Sequence, residues 1–206
     1  EDEYESNSWF LTTFVREAGA HAFRVHIIAE TSEQLQAIIE DQLVRADLIV
    51  ISGESKDESF DLITSVISKL GEITTVTPNL AESGKHNYGL IGPDKTPVVT
   101  LPGDPIGNYL SAELFIRPMI LKMLAKSEIY RPGKKAKLSK AVSSTPGKSS
   151  YVRATINEDG QAVALGDQDL ISTLSNATCL ISLGEKIEKI AAGESVNLVM
   201  INQVQS

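Results

Sequence analysis

The run Asp47-Leu48-Ile49-Val50-Ile51-Ser52-Gly53 constrains this chain more than any other stretch. It is continuously apolar, rich in β-branched residues, too short for a helix, and it ends in small residues. A run of that kind suits a strand covered on both faces, as in a parallel sheet. Such a strand needs helices on either side, and the neighbouring sequence supplies them. Residues 7–19 place Trp9, Phe10, Phe14 and Val15 near helical spacing before Gly19. Thr31-Ser32-Glu33-Gln34 has the pattern of a capping box, opening a helix whose apolar face is Leu35, Ile38, Ile39 and Leu43.

The loop Gly53–Phe60 leads to a helix over 61–70, and strands are predicted at 73–77 and 97–101. The run 23–29 is also strand-like. Pro105 starts a long helix reaching about Lys126, with a kink predicted at Pro118. Strands alternating with helices predict an α/β domain with a mostly parallel sheet. From Arg131 the pattern changes to short, turn-bounded segments at 137–142, 150–156, 161–165, 178–183 and 195–201. Pro146-Gly147, Asp159-Gly160 and Gly193 punctuate them, which predicts a small all-β domain, a compact barrel or sandwich. Charge divides the chain at the same place. Residues 129–206 hold nine Lys/Arg and seven Asp/Glu, leaving ten and twenty for 1–128 out of totals of 19 and 27. Two domains are expected, 1–128 and 129–206.

The formal net charge of −8 argues against a general nucleic-acid binder, which needs basic surface to neutralise phosphates. The single cysteine, Cys179, excludes an intrachain disulfide. It lies in the apolar run Ala177–Ile181, so a buried structural thiol in a reducing, cytoplasmic compartment is expected. No stretch of about 18 apolar residues exists, so no membrane span is expected. The chain opens at Glu1-Asp2-Glu3 with no Met and no signal peptide, as a piece of a longer protein would.

In a parallel α/β sheet, ligands bind beyond the C-terminal ends of the strands, where loops feed helix N-termini whose free amides favour anions. Two loops qualify: Ser52-Gly53-Glu54-Ser55-Lys56-Asp57-Glu58-Ser59-Phe60-Asp61 and Leu101-Pro102-Gly103-Asp104-Pro105. Asp61, at the expected helix start, suits an N-cap or a residue complementing the helix dipole. Glu30 and Asp104 are further acids at loop ends, suited to turns and caps or to Mg²⁺. His21, His26 and His86 show no metal-ligand spacing with one another or with Cys179.

These same stretches carry a family resemblance. Tyr4-Glu5-Ser6-Asn7 stands where molybdopterin molybdenumtransferases, the family of bacterial MoeA and the gephyrin E domain, have Y-D-S-N. Ser52-Gly53, with Asp61 at the matching acid, resembles the family's S-G-G-V-S-V-G-x-x-D. Glu82-Ser83-Gly84-Lys85-His86 stands at K-P-G-K-P, and Leu101-Pro102-Gly103-Asp104-Pro105-Ile106-Gly107 at L-P-G-N-P-V-S. Glu113-Leu114-Phe115-Ile116-Arg117-Pro118 is close to E-L-F-V-R-P. In the tail, Thr145-Pro146-Gly147-Lys148 with Arg153 resembles P-P-G-R…R, Leu170–Leu174 resembles M-L-S-S-L, and Ala191-Ala192-Gly193-Glu194 matches the closing turn.

The resemblance spans the chain and implies a three-layer molybdopterin-binding α/β domain followed by a small β-barrel domain, with two further domains absent on the N-terminal side. It implies that the parent inserts molybdate into adenylylated molybdopterin, releasing AMP, with Mg²⁺, as a homodimer whose active site draws on both subunits. By resemblance Asp61 is the metal- and substrate-associated aspartate; Glu30, by its place at a loop end, is a further candidate metal ligand. Ser52, Gly53, Gly84, Lys85, Pro102, Gly103, Asp104, Pro105, Arg153 and Ser172 are then the substrate-binding residues.

The phosphate loop departs from the family. Glycines that admit an anion to bare amides are replaced in Gly53-Glu54-Ser55-Lys56-Asp57-Glu58 by three acids and one lysine. One carboxylate about 4 Å from a phosphate oxygen costs roughly 1 kcal/mol in water and several times that when shielded. The resemblance gives the first reading, the molybdenumtransferase. The alternative is a non-catalytic relative, a scaffold or protein-partner-binding module, whose phosphate loop has become a solvated acidic face. The basic cluster Lys134–Lys140 either faces an acidic partner or guards an exposed strand edge.

Overall fold

The computed structural model describes residues 6–25, 31–53, 57–166, 168 and 172–201. They form two units. The first takes in the described residues up to Pro78 together with Ser83–Lys126; the second takes in Asn79–Glu82 together with those from Ser127 onward.

The first unit opens with α1 (Asn7–Glu17), which ends where Gly19 adopts a φ of +94°. Then comes α2 (Ser32–Leu43), where the Thr31 side chain accepts from the Gln34 amide, as the capping pattern foretells. β1 (Ile49–Ser52), α3 (Asp57–Leu70), β2 (Gly71–Val76), β3 (His86–Ile91) and β4 (Thr96–Leu101) follow. The strand order is β1-β4-β3-β2. Ile49 and Ile51 face a core built with Leu35 and Ile39 of α2, Ile63, Val66 and Ile67 of α3, and Val98. Leu48 and Val50 pack toward a second core of Leu11, Phe14, Val99, Leu101, Ala112 and Ile116. That alternation is why the β1 run is apolar throughout: the sheet is the middle of three layers.

A mostly parallel sheet is expected, but parallel pairing is found between β1 and β4, whereas β3 pairs antiparallel with both β4 and β2. The reason is connection length. β3 and β4 are joined by Gly92–Lys95, with left-handed φ at both ends and a Lys95 amide to Gly92 carbonyl bond of 3.2 Å. A parallel pair needs a crossover of about a dozen residues or more. Of the strand-like run 23–29, residues 23–25 are not a strand and 26–29 lie outside the described residues.

The helix from Pro105 changes type along its length. α4 (Pro105–Ser111) passes into a π-helical turn at Ala112–Ile116 and then α5 (Arg117–Met123). Pro118 has no amide to offer Leu114, and the Arg117 amide reaches back five residues to Ala112. Where a kink is predicted at Pro118, the helix has a wider, π-type turn just ahead of the proline. Glu113 and Arg117, the charged residues of this motif, are both buried, which gives the motif a structural role.

The second unit is built from β5 (Gly133–Lys137), β6 (Val142–Ser143), β7 (Ser150–Ile156), β8 (Ala162–Ala164), α6 (Ser172–Asn176), β9 (Cys179–Leu183), β10 (Lys189–Ile190) and β11 (Ser195–Met200). Its main sheet runs β5-β11-β9-β7-β8, antiparallel throughout, and β6 pairs with β10. Leu138, just past β5, bridges Ala162 of β8, so the two edges return toward each other and the sheet curls into a half-barrel. Leu138, Ala154, Cys179, Ile181, Leu183 and Leu198 fill the inside. Lys134, Lys135 and Lys137 are exposed along edge strand β5, the position where lysine discourages further strand pairing.

Candidate functional site

The C-terminal ends of β1 and β4 lie side by side, Ser52 opposite Leu101, and two asparagines organise the loops that leave them. Asn7, at the start of α1, donates to Ser52 Oγ at 3.2 Å and to the Gly103 carbonyl at 2.7 Å. Asn108, in α4, donates to Ser52 Oγ at 3.0 Å and to the Pro102 carbonyl at 3.0 Å. Ser52 is therefore held at one point by two amides, and the Pro102-Gly103 turn is pinned by the same two side chains. Asn108 is fully buried, and its Oδ1 accepts no hydrogen bond.

Gly84 completes this group. Its φ is +66°, and a Cβ there would stand 3.5 Å from Pro102 Cβ, so the Ser83–Lys85 turn runs against the β4 loop. Lys85 is exposed, with Nζ 5.8 Å from the Phe60 ring centroid on α3, within cation–π range. Behind the turn lies His86, 3% exposed. Its Nδ1 is 3.1 Å from the Thr100 carbonyl, and its Nε2 is 2.9 Å from Ser83 Oγ, 3.0 Å from the Ser83 carbonyl and 3.4 Å from Ser111 Oγ. Burial pushes the His86 pKa below its ordinary value, and the two carbonyls oppose that shift. Asn87 continues the polar layer, donating to Thr64 Oγ1 at 2.7 Å and accepting from Thr75 Oγ1 at 2.6 Å.

The expected site residues are distributed as follows. Ser52, Gly84, Pro102 and Gly103 come together at the strand ends, Gly53 continues the ladder with its amide 3.4 Å from the Leu101 carbonyl, and Lys85 lies on the adjoining turn. Asp104 caps α4: its Oδ2 accepts from the Gly107 amide at 2.6 Å, and its carbonyl accepts from the Asn108 amide at 2.8 Å. Pro105, the first residue of α4, has no amide, so this helix start is largely occupied by its own cap. Asp61 is exposed on α3, the helix beginning at Asp57 rather than at Asp61. It stands inside the second turn, which removes the N-cap role that an Asp61 start would give it.

Arg153 and Ser172 belong to the second unit. Arg153 is fully buried in β7, with Nε donating to Thr173 Oγ1 at 2.7 Å and Nη2 donating to the Gln168 carbonyl. Its Nη1 lies 3.5 Å from Glu82 Oε2, while its backbone amide donates to Gln168 Oε1 at 2.8 Å. Ser172 is exposed at the start of α6; its neighbour Thr173, not Ser172, meets the arginine. Glu30 and the loop residues Glu54–Lys56 lie outside the described residues. Among the described residues no group of three or more His, Cys, Asp or Glu gathers as a metal site. Mg²⁺ in phosphate sites needs few protein oxygens, one or two carboxylates with the substrate supplying the rest, and Asp61 alone is compatible with that.

Asn7 and Asn108 hold this group together, yet neither is among the expected site residues. Asn7 was visible in the Tyr4–Asn7 stretch. Asn108, three residues past Pro105, carried no signal except an amide on a helix face that has to be buried. A cleft of about 310 Å³ also exists, lined by Val44, Arg45, Asp47, Asp94, Lys95 and Pro97 among others. It sits at the opposite, N-terminal ends of β1 and β4, away from the group just described, and holds none of the expected site residues.

No helix among the described residues is long and apolar enough to cross a membrane. Comparison with known proteins agrees with the layered fold and the curled sheet. Residues 1–122 match the family described as "Probable molybdopterin binding domain", and residues 135–201 match the "MoeA C-terminal region (domain IV)". Molybdopterin molybdenumtransferase 1 of Mycobacterium tuberculosis is 30% identical over 210 residues, covering 97% of this chain and 49% of that protein. Gephyrin of Dictyostelium discoideum is 24% identical over 238 residues, covering 98% of this chain and 33% of that protein. The solved molybdopterin biosynthesis MoeA protein from Pyrococcus horikosii superposes with a TM-score of 0.78 at 25% identity, over 96% of this chain and 48% of that one. The chain thus spans about half the length of the molybdenumtransferase it matches. With its fold, its strand-end loops and both regions matched, the chain belongs to the molybdopterin-binding domain family, in the MoeA-like arrangement that continues into a MoeA C-terminal region.

Proposed function

We propose that the parent protein takes part in molybdenum cofactor biosynthesis, inserting molybdate into adenylylated molybdopterin with release of AMP. The observation that carries this reading is the convergence of Ser52, Gly84, Pro102 and Gly103 at the C-terminal ends of β1 and β4, with Lys85 on the adjoining turn. Strand ends of that kind are where α/β sheets take ligands. The Ser52 hydroxyl, fixed by Asn7 and Asn108, offers a preorganised polar contact. Lys85 supplies a positive charge for a phosphate, and the Pro102-Gly103 turn leaves backbone open to a close approach. Asp61 is the carboxylate for Mg²⁺, which when bound neutralises phosphate charge. The parent works as a cytoplasmic homodimer.

The test is calorimetry on the full-length protein with Mg²⁺ and AMP, followed by turnover of adenylylated molybdopterin. Binding at micromolar affinity and loss of turnover in Asp61→Asn are expected; no binding of AMP or of the adenylylated substrate sinks the catalytic reading.

A second reading has its own observation, the acids Glu54, Asp57 and Glu58 where the family resemblance has a glycine-rich phosphate loop. In it the parent is a non-catalytic scaffold that binds a protein partner. A partner complex unaffected by Asp61→Asn favours it, and complementation of a molybdenumtransferase-deficient strain by the parent eliminates it.

A further inference from the structure

His86 is a buried, titratable side chain that the proposed chemistry does not use, and it stands directly behind the turn that carries Lys85. The turn itself is not an easy conformation. Glu82 and Gly84 both have left-handed φ, +64° and +66°, within three residues. For a residue with a side chain that conformation costs roughly 1–2 kcal/mol, so Glu82 has to be held by its surroundings.

The ring supplies a hold for the turn. A neutral imidazole has one N–H and one acceptor nitrogen. A carbonyl, which can only accept, stands at each nitrogen, that of Thr100 3.1 Å from Nδ1 and that of Ser83 3.0 Å from Nε2; the Nδ1–H tautomer is the one that bonds both sides, donating to Thr100 while Nε2 accepts from the Ser83 hydroxyl at 2.9 Å. Phe115 closes the remaining side, its ring edge-on to the imidazole with centroids 5.7 Å apart. Thr100 also binds the next residue along, its Oγ1 accepting from the Asn87 amide at 2.7 Å. The chain Ser83–His86–Thr100 therefore ties the first residue of the turn to the central strand whose end carries Pro102 and Gly103.

We infer that His86 is a positioning residue for Lys85: through the Ser83–His86–Thr100 chain it fastens the Ser83–Lys85 turn to β4 and fixes where the lysine is presented. The role given to Lys85 rests on the proposed anion site, but the fastening does not, and the two are tested separately. Hydrogen exchange in the full-length protein reads the fastening. His86→Phe keeps an aromatic ring against Phe115 and removes both nitrogens; Ser83→Ala removes the hydroxyl alone and serves if the first variant fails to fold. Either should speed exchange of the Gly84 and Lys85 amides about fivefold, the effect of one lost hydrogen bond, while β9 amides stay protected. Unchanged exchange at 84 and 85 in both variants overturns the inference.

Titration with inorganic pyrophosphate reads the positioning. His86→Phe should weaken binding about fivefold, again the scale of one hydrogen bond, and should have no further effect in a Lys85→Ala background. Equal losses in both backgrounds assign His86 a general structural role and refute the positioning of Lys85. If the wild-type protein does not bind pyrophosphate, the anion reading of Lys85 falls, and the exchange experiment alone decides whether His86 holds the turn.

Discussion

Arg153 and Lys85 are both cations expected at one anionic ligand, and the two units treat them in opposite ways. Arg153 is fully buried in the second unit, and its guanidinium is engaged by Thr173, Gln168 and Glu82. Lys85 is exposed on a turn fastened through Ser83, with its ammonium over the Phe60 ring. The difference teaches that two positions read alike from motifs differ in how far the fold itself uses their charge. Glu82, standing where the resemblance has a lysine, gives Arg153 a carboxylate within its own unit. A buried charge must be paired and hydrogen-bonded within the fold, whereas an exposed charge keeps its contact with solvent.

The sharpest way to break this comparison is Arg153→Met. Removing the guanidinium leaves the Thr173 hydroxyl and the Gln168 carbonyl without their donor, and unfolding by urea should show a loss of about 3–5 kcal/mol. A loss of anion affinity with unchanged stability would instead make Arg153 a ligand group. Asn108→Leu comes next. It strips Ser52 and the Pro102 carbonyl of one bond each, partly offset by removal of the unsatisfied Oδ1, and should cost about 2 kcal/mol in the same assay. Ser52 keeps its bond from Asn7, so the local fold should survive while ligand affinity drops. Gly84→Ala is milder. A Cβ would meet Pro102 at ordinary contact distance, so the cost is that of a left-handed φ, about 1 kcal/mol.

The smallest effect is a slope rather than a step. Burial lowers the folded-state pKa of His86 below the usual 6.5, so below that pH the unfolded chain takes up a proton that the folded chain resists. Its contribution to stability is fully present above pH 6.5, falls as pH drops through that value, and levels off below the lowered folded pKa. The urea midpoint should therefore decline on the acid side, and His86→Phe should flatten that part of the profile. A wild-type profile that is no steeper than the variant's would remove His86 from the account.

What could be read from the sequence followed from local rules. The β1 run, the Thr31 cap and the change of rhythm near Arg131 each express a period or a cap chemistry, and the structure places a strand, a capped helix and a run of short strands there. β3 escaped because His86-Asn87-Tyr88-Gly89 has no apolar run; its buried His86 and Asn87 side chains meet the Thr100 carbonyl and the Thr64 and Thr75 hydroxyls from elsewhere in the chain. The antiparallel pairing of β3 follows from a four-residue connection that no periodicity registers. In the site, Pro102, Gly103 and Gly84 announce themselves as turn residues. Asn108 does not, and Asn7 does so only within the Tyr4–Asn7 stretch, because their shared part lies in reaching the same hydroxyl from positions 101 apart in sequence.

The segment Asn79–Glu82 has a consequence for how this chain is made and dissected. Its four residues sit within the numbering of the first unit but cluster with the second, bridging Ser149 through Leu80 and meeting Arg153 through Glu82, 71 residues away. A ribosome that has released the whole first unit has still not made the partners of this segment, so the β2–β3 connection waits for β7. No single cut parts the two units either. A fragment beginning after Lys126 leaves the carboxylate of Glu82 behind, and a fragment ending there carries an unclaimed one. A clean domain boundary exists in the charge pattern of the sequence, but not in the connectivity of the fold.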